Sequence, residues 1–197
     1  MLPSKEEIQA LPLFVGLGLP HILLPRTPAE LEHARAFLLR SPHLGFDTEM
    51  RPMFSKNEPM RGPDVVQFAT GEQACVLQMH IPSHVALARE VLKAPEVLKV
   101  GFDLRNDQAQ LQWRLGVQAK PLLDLVSVFH AQGHRNTVGA KSAVALLLRQ
   151  RLVKSKRVTT SNWGRTALEP RQILYAANDA HVAWRVYQAL GFPTGHP

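Results

Sequence analysis

Asp47 and Glu49 are separated by one residue in the stretch LGFDTEM, residues 44–50, between apolar neighbours that mark a buried strand. Side chains alternate along a strand, so Gly45, Asp47 and Glu49 share one face while Leu44, Phe46 and Thr48 share the other. Two carboxylates held that close repel and must shed water, which is costly unless a cation sits between them. A solvated edge strand carries the same pattern, so the pair needs partners elsewhere. Tyr175 and Asp179, in YAANDAHVAWRVY, are four apart and on a helix lie on one face, a turn from each other. Asp107, in VGFDLRNDQAQL, stands in the first turn of a helix that follows a strand. Asn106 and Asp107 also suit a helix start through capping and the macrodipole. Hard carboxylate oxygens suit Mg²⁺ or Mn²⁺, and nothing in the chain has the Cys/His spacing of a zinc site.

The elements that must position these groups read as one α/β domain around a mixed sheet. Residues 1–20 form an N-terminal arm, with Ser4 and Glu7 at capping-box spacing. Thr27, Pro28 and Glu30 open a helix that runs to about Leu39. The acidic strand follows, then a loop over 51–64 rich in proline and charge. VVQFA and ACVLQM are two strands joined by a tight turn at TGEQ. A helix over 83–94, the strand VLKVGF, a helix from about Asn106, and the strand-to-helix stretch PLLDLVSVF come next. GAKSAVALLLRQRLV reads as one helix, then a basic loop, then a last helix from about Pro170 to Leu190.

In this order the acidic strand, the helix-start Asp107 and the Tyr175–Asp179 pair resemble the DEDD 3′–5′ exonucleases of the tyrosine subtype. The nearer likeness is to the Werner-syndrome-type exonuclease domain, with ribonuclease D the next relative. Four stretches carry it: FDTEMRPMF with Pro52 and Phe54, VVQFA with Gln67, GFDLRNDQAQL, and SNWGRTALEPRQILYAANDA. The last is the most specific, with Trp163, Gln172, Tyr175, Ala176, Ala177 and Asp179 at family spacing. Met50 stands where the Werner type usually has Trp, and Glu169 where Thr or Ser commonly caps the last helix.

The resemblance implies a ribonuclease-H-like fold, a mixed five-stranded sheet flanked by helices, with residues 21–197 as the exonuclease domain. It implies release of nucleoside 5′-monophosphates from single-stranded 3′ ends of DNA or RNA by two ions, Mg²⁺ or Mn²⁺, held by Asp47, Glu49, Asp107 and Asp179. Asp47 would bridge both ions, Glu49 and Asp179 would serve the nucleophile side, and Asp107 would hold the second ion largely through water. Tyr175 would orient the attacking water, since a phenol near its normal pKa is a poor base. Lys154, Lys156, Arg157, Trp163 and Met50 are the expected nucleic-acid contacts. Asp103 is a rival for the Asp107 role, Asp124 a supporting residue or helix cap, and His181 lies off the tyrosine position. An RNA 3′-end trimming enzyme like ribonuclease D is one alternative. A silent nucleic-acid-binding module is the other, and it is disfavoured by the presence of all five site residues.

The 197 residues carry 23 Lys+Arg against 16 Asp+Glu, a formal +7 that suits a polyanionic partner. A lone cysteine, Cys75, excludes a disulfide framework, and no apolar run reaches membrane-spanning length or makes a signal peptide, so the expected location is the cytoplasm with no membrane partner. The sequence names no protein partner. If the basic surface meets the phosphate backbone, affinity for a single strand should fall by roughly 0.7 log per log salt for each phosphate neutralised. Replacing Lys154, Lys156 and Arg157 together by Gln should flatten that slope in a titration over ionic strength; an unchanged slope would make them a solvated face.

Overall fold

The acidic strand, β2 (His43–Glu49), runs inside a sheet of six strands in the order β1-β4-β3-β2-β5-β6. The computed structural model describes residues 2–52 and 61–192. Phe54 and the rest of 53–60, part of the expected loop, lie outside the described residues. β3 (Val65–Ala69) is antiparallel to β2 and to β4 (Ala74–Gln78). β5 (Leu98–Gly101) is parallel to β2, and β6 (Leu122–Asp124) is parallel to β5. The sheet is mixed, as expected, but it has a sixth strand. β1 (Ile22–Leu23) pairs parallel with β4, and two residues are too few to show alternation in sequence.

Each face of the sheet buries one helical layer. α2 (Pro28–Arg40) opens on a capping box in which Thr27 accepts from the Glu30 amide and Glu30 from the Thr27 amide. With α3 (Pro82–Lys93) and α4 (Arg105–Leu115) it covers the Leu44/Phe46 face, joining Phe37, Leu38, Phe68, Leu92 and Leu111 in one core. Each such fully buried side chain contributes roughly 1.5–3 kcal/mol relative to exposure.

The opposite face carries α8 (Pro170–Ala189), backed by α5 (Leu125–Ala131) and by α6 (Ala140–Ala143), with its π-helical continuation Val144–Leu148. The expected helix over 139–153 is therefore shorter and wider. Arg149 turns into the left-handed region at φ 53°, and Arg151 then pairs with the arm. The basic stretch after it is not all loop, because Lys156–Thr159 form a short helix, α7. In the arm, α1 (Lys5–Ala10) has the expected Ser4–Glu7 capping box. Among the described residues no helix is long and apolar enough to cross a membrane.

α8 is capped by an acid, where the resemblance led one to expect Thr or Ser. Glu169 is its N-cap: its amide donates to Gln172 Oε1 at 3.0 Å, while its carboxylate takes Arg165 and Arg171, and Pro170 follows. The helix lies directly on β2 because Gly45 has no side chain. A Cβ there would stand 1.9 Å from the Ala180 carbonyl oxygen and 2.9 Å from the Trp184 nitrogen. Gly45→Ala should therefore push α8 off the sheet and cost about 1–3 kcal/mol or more. Urea denaturation measures this, and wild-type stability would mean that the contact yields freely.

Candidate active site

β2 ends where α8 passes over it, and three carboxylates meet there. One oxygen each from Asp47, Glu49 and Asp179 lies within 4.8 Å of the others. Asp47 and Glu49 arrive together because alternation puts them on the α8 side. Asp179 arrives because Ala176, Ala177, Ala180 and Ala183, all buried, let its helix sit close to the sheet. Asp47 is half-buried, whereas Glu49 and Asp179 are buried. In the sheet register Gln67 faces Asp47, fully buried, and its amide nitrogen and oxygen have no hydrogen-bond partner.

Burial and mutual repulsion hold these acids toward their protonated forms. Burial raises the Asp47 pKa well above the ordinary carboxylate range, with the charges of Asp179 and Asp107 adding to it. Glu49 is pushed up to about 9 by burial and then by Asp47 and Asp179. Asp179 is raised by burial, against the pull of Lys154. Three hard oxygen donors, repelling one another and with no His or Cys among them, fit a hard divalent cation.

Asp107 comes from the other face of the sheet and stands outside that cluster. It sits in the first turn of α4, and its Oδ1 accepts the hydroxyl proton of Thr48, the strand residue between the acidic pair. Burial raises its pKa too, while the Thr48 bond opposes the rise. Asp124 holds the turn that leads to it. Its carboxylate accepts from the amides of Asp103 at 3.0 Å, Leu104 at 3.1 Å and Val126 at 2.9 Å. Asp124 is thus both the N-cap of α5 and a support for the Asp107 helix. Asp103 occupies the left-handed region at φ 55° within that turn.

Tyr175 lies one turn before Asp179, close enough to feel its charge, and its hydroxyl meets Thr159 Oγ1 at 2.7 Å. Burial, then the Asp179 charge, pushes the phenol up to about 12, so it keeps its proton at neutral pH. Lys154 is not part of a solvated stripe: its Nζ donates to Asp179 Oδ2 at 2.8 Å and lies 5.8 Å from the Tyr175 ring centroid. Lys156 and Arg157 are exposed on α7, and Met50 is half-buried just past β2.

Trp163 corrects an expectation. Its indole is fully buried, donates to the Thr159 carbonyl at 3.1 Å and packs 6.0 Å from the Tyr175 ring, so it props that ring and cannot stack on a base. His181 is buried and bonds the Thr70 carbonyl, away from the cluster. Thr48 and Thr159 escape sequence reasoning, because a threonine in a strand or short helix gives no sign of the acid or phenol it will meet.

Residues 23–192 match the model of a protein family described as 3′–5′ exonuclease. The chain belongs to the 3′–5′ exonuclease family. This exonuclease domain is 32% identical over 149 residues to exonuclease 3′-5′ domain-containing protein 2 of Drosophila melanogaster, covering 75% of this chain and 25% of that protein. It is 29% identical over 152 residues to the bifunctional 3′-5′ exonuclease/ATP-dependent helicase WRN of Mus musculus, covering 75% of this chain and 11% of that protein. Its fold is shared with Trypanosoma brucei RNase D, solved in complex with RNA U12, at a TM-score of 0.73 and 19% identity, over 98% of this chain and 66% of that one. The exonuclease domain thus spans a quarter or less of the length of these two curated relatives.

Because folding raises the carboxyl pKa values, the folded domain binds protons more tightly than the unfolded chain. Their contribution to stability is full below the unfolded values and is lost as pH rises through the folded ones, to about 9 for Glu49. Without divalent ions, stability in urea should fall from about pH 5 to about pH 9, and Glu49→Gln should flatten that fall. Added Mn²⁺ should stabilise the wild type more at the alkaline end; a stability that climbs with pH in chelator would contradict the site as drawn.

Proposed function

We propose that this exonuclease domain hydrolyses nucleic acid stepwise from 3′ ends and releases nucleoside 5′-monophosphates with the aid of two Mg²⁺ or Mn²⁺ ions. The observation that carries the reading is the convergence of Asp47, Glu49 and Asp179 oxygens within 4.8 Å of one another, with Tyr175 one helical turn before Asp179. Asp47, Glu49 and Asp179 would hold one ion, and Asp47 with Asp107 the other. When bound, the ions supply the positive charge that activates water and steadies the leaving oxygen.

The chain's own groups do the rest. Thr48 fixes the Asp107 carboxylate through its hydroxyl, and Asp124 fixes the turn beneath it. Thr159 and Trp163 pin the Tyr175 ring, so the protonated phenol presents its oxygen in one place and orients the attacking water. A phenol pushed up to about 12 is no general base at neutral pH, so its part is positioning. The ammonium of Lys154, beside Asp179, adds positive charge where the phosphodiester must lie. The formal +7 of the chain and the RNA-bound Trypanosoma brucei relative support nucleic acid as the polymer. Labelled single-stranded DNA and RNA with either ion test which sugar is preferred.

Activity should vanish in excess EDTA and return with Mg²⁺ or Mn²⁺, and Asp47→Ala should lose at least ~10³-fold. Tyr175→Phe removes one oxygen and keeps the ring against Trp163. Its single-turnover rate at saturating Mn²⁺ should drop by about 10–10³-fold with substrate affinity nearly unchanged. A wild-type rate would make Tyr175 a packing residue. Tight binding by the wild type without cleavage of any end would leave a silent binding module as the better description.

A further inference from the structure

The arm before β1 is built into the flank of α8. The Phe14 amide donates to the Arg151 carbonyl at 3.0 Å and the Arg151 amide to the Pro12 carbonyl at 2.7 Å, so the arm and the crossover over 149–155 form one isolated parallel bridge. Asn178, the neighbour of Asp179, then clasps the arm: its Oδ1 accepts from the Leu17 amide at 2.7 Å and its Nδ2 donates to the Leu17 carbonyl at 3.0 Å. Gly16 permits that approach, since a Cβ there would fall 2.1 Å from Asn178 Oδ1. The Phe14 ring settles 5.9 Å from His181 and beneath the Arg185 guanidinium.

Between arm, crossover and α8 opens a cleft of about 430 Å³ whose lining reaches Tyr175 and Asp179, so it is continuous with the carboxylate cluster. Its volume lies in the range of small-ligand sites. Leu17, Val158 and Leu174 give it apolar walls, and its cations are Arg151, Lys154 and Arg171. Lys154 is engaged by Asp179 and Arg171 by Glu169. Arg151 has no ion pair among the described residues, and its Nε is buried without a hydrogen-bond partner. A buried guanidinium donor without an acceptor is costly, and its planar fork suits a phosphate.

We propose that this cleft takes one nucleotide of the substrate strand beside the scissile phosphodiester, its phosphate on Arg151 and its base against Leu17, Val158 and Leu174. The proposal rests on the exonuclease reading and extends it, because the arm that forms one wall lies before residue 23, where the family match begins. The arm is then part of the substrate site.

Binding of short labelled single strands is measured in chelator, where no turnover occurs, for the wild type, Arg151→Gln, Gly16→Val and the charge control Arg40→Gln at the end of α2, across the sheet. Arg151→Gln should bind about 5–10-fold more weakly and lower the salt slope by about 0.7. Gly16→Val, which forces the arm off Asn178, should weaken binding comparably, and Arg40→Gln should bind as the wild type does. Wild-type affinity in Arg151→Gln, or an equal loss in Arg40→Gln, overturns the proposal. Circular dichroism checks that Gly16→Val folds; if it does not, Arg151→Gln and its control decide alone. Wild-type cleavage with Mn²⁺ separates the two levels. Cleavage with unaltered Arg151→Gln binding sinks the cleft alone, and a wild type that neither binds nor cleaves sinks both.

Discussion

Repulsion among Asp47, Glu49 and Asp179 is the constraint around which the exonuclease domain is arranged. Three like charges at one crevice between a strand and a helix oppose folding, and burial of Glu49 and Asp179 sharpens the opposition. A chain free to relax would let the acids swing out to water. This one cannot, because two are on a central strand locked by neighbours on both sides and the third is on a helix seated against a glycine. The rigidity that forces the acids together is also what leaves a cation as the natural way to relieve them.

The supports around the cluster work by fixing oxygens rather than by adding bulk. Thr48 holds Asp107, Asp124 holds the backbone turn below it, Thr159 holds the phenol, and Lys154 offsets part of the negative charge. The Arg51–Asp64 pair, with Asp64 also accepting the Arg51 amide at 2.9 Å, ties together the chain segments just beyond β2 and just before β3. Gln78 reaches from β4 to the carbonyls of Arg165 and Thr166, which anchors the stretch leading into α8. Substrate can reach a site of this kind without first organising it.

What local sequence could reveal was whatever a short periodicity decides. Alternation put Asp47 and Glu49 on one face, and a four-residue spacing put Tyr175 and Asp179 on one helical stripe. The strands VVQFA and ACVLQM were legible because β-branched and apolar residues filled them between turn residues. Long-range geometry was hidden. Nothing near Thr48 announces Asp107, which is brought to it by a separate crossover. Trp163 could be a stacking platform in sequence, although packing is the commoner use of such a residue, and burial decides for the prop. The run 144–148 is apolar in a way that α and π windings satisfy alike, so the early stop at Arg149 follows from the arm pairing with Arg151 rather than from composition. The arm's own role was illegible for the same reason: Asn178 sits 161 residues from Leu17.

α8 presents different residues around its circumference to three unrelated neighbours. Tyr175 and Asp179 meet the acids, the alanines at 176, 180 and 183 meet the sheet, and Asn178 meets the arm. Successive residues on an α-helix are separated by about 100°. Adding or deleting one residue near its middle would rotate everything beyond by that angle and misdirect all three sets at once. Length variation among descendants of this sequence is therefore barred from this helix and confined to segments whose register nothing reads. Substitutions can wander there one at a time, but the spacing itself is inherited as a single indivisible trait.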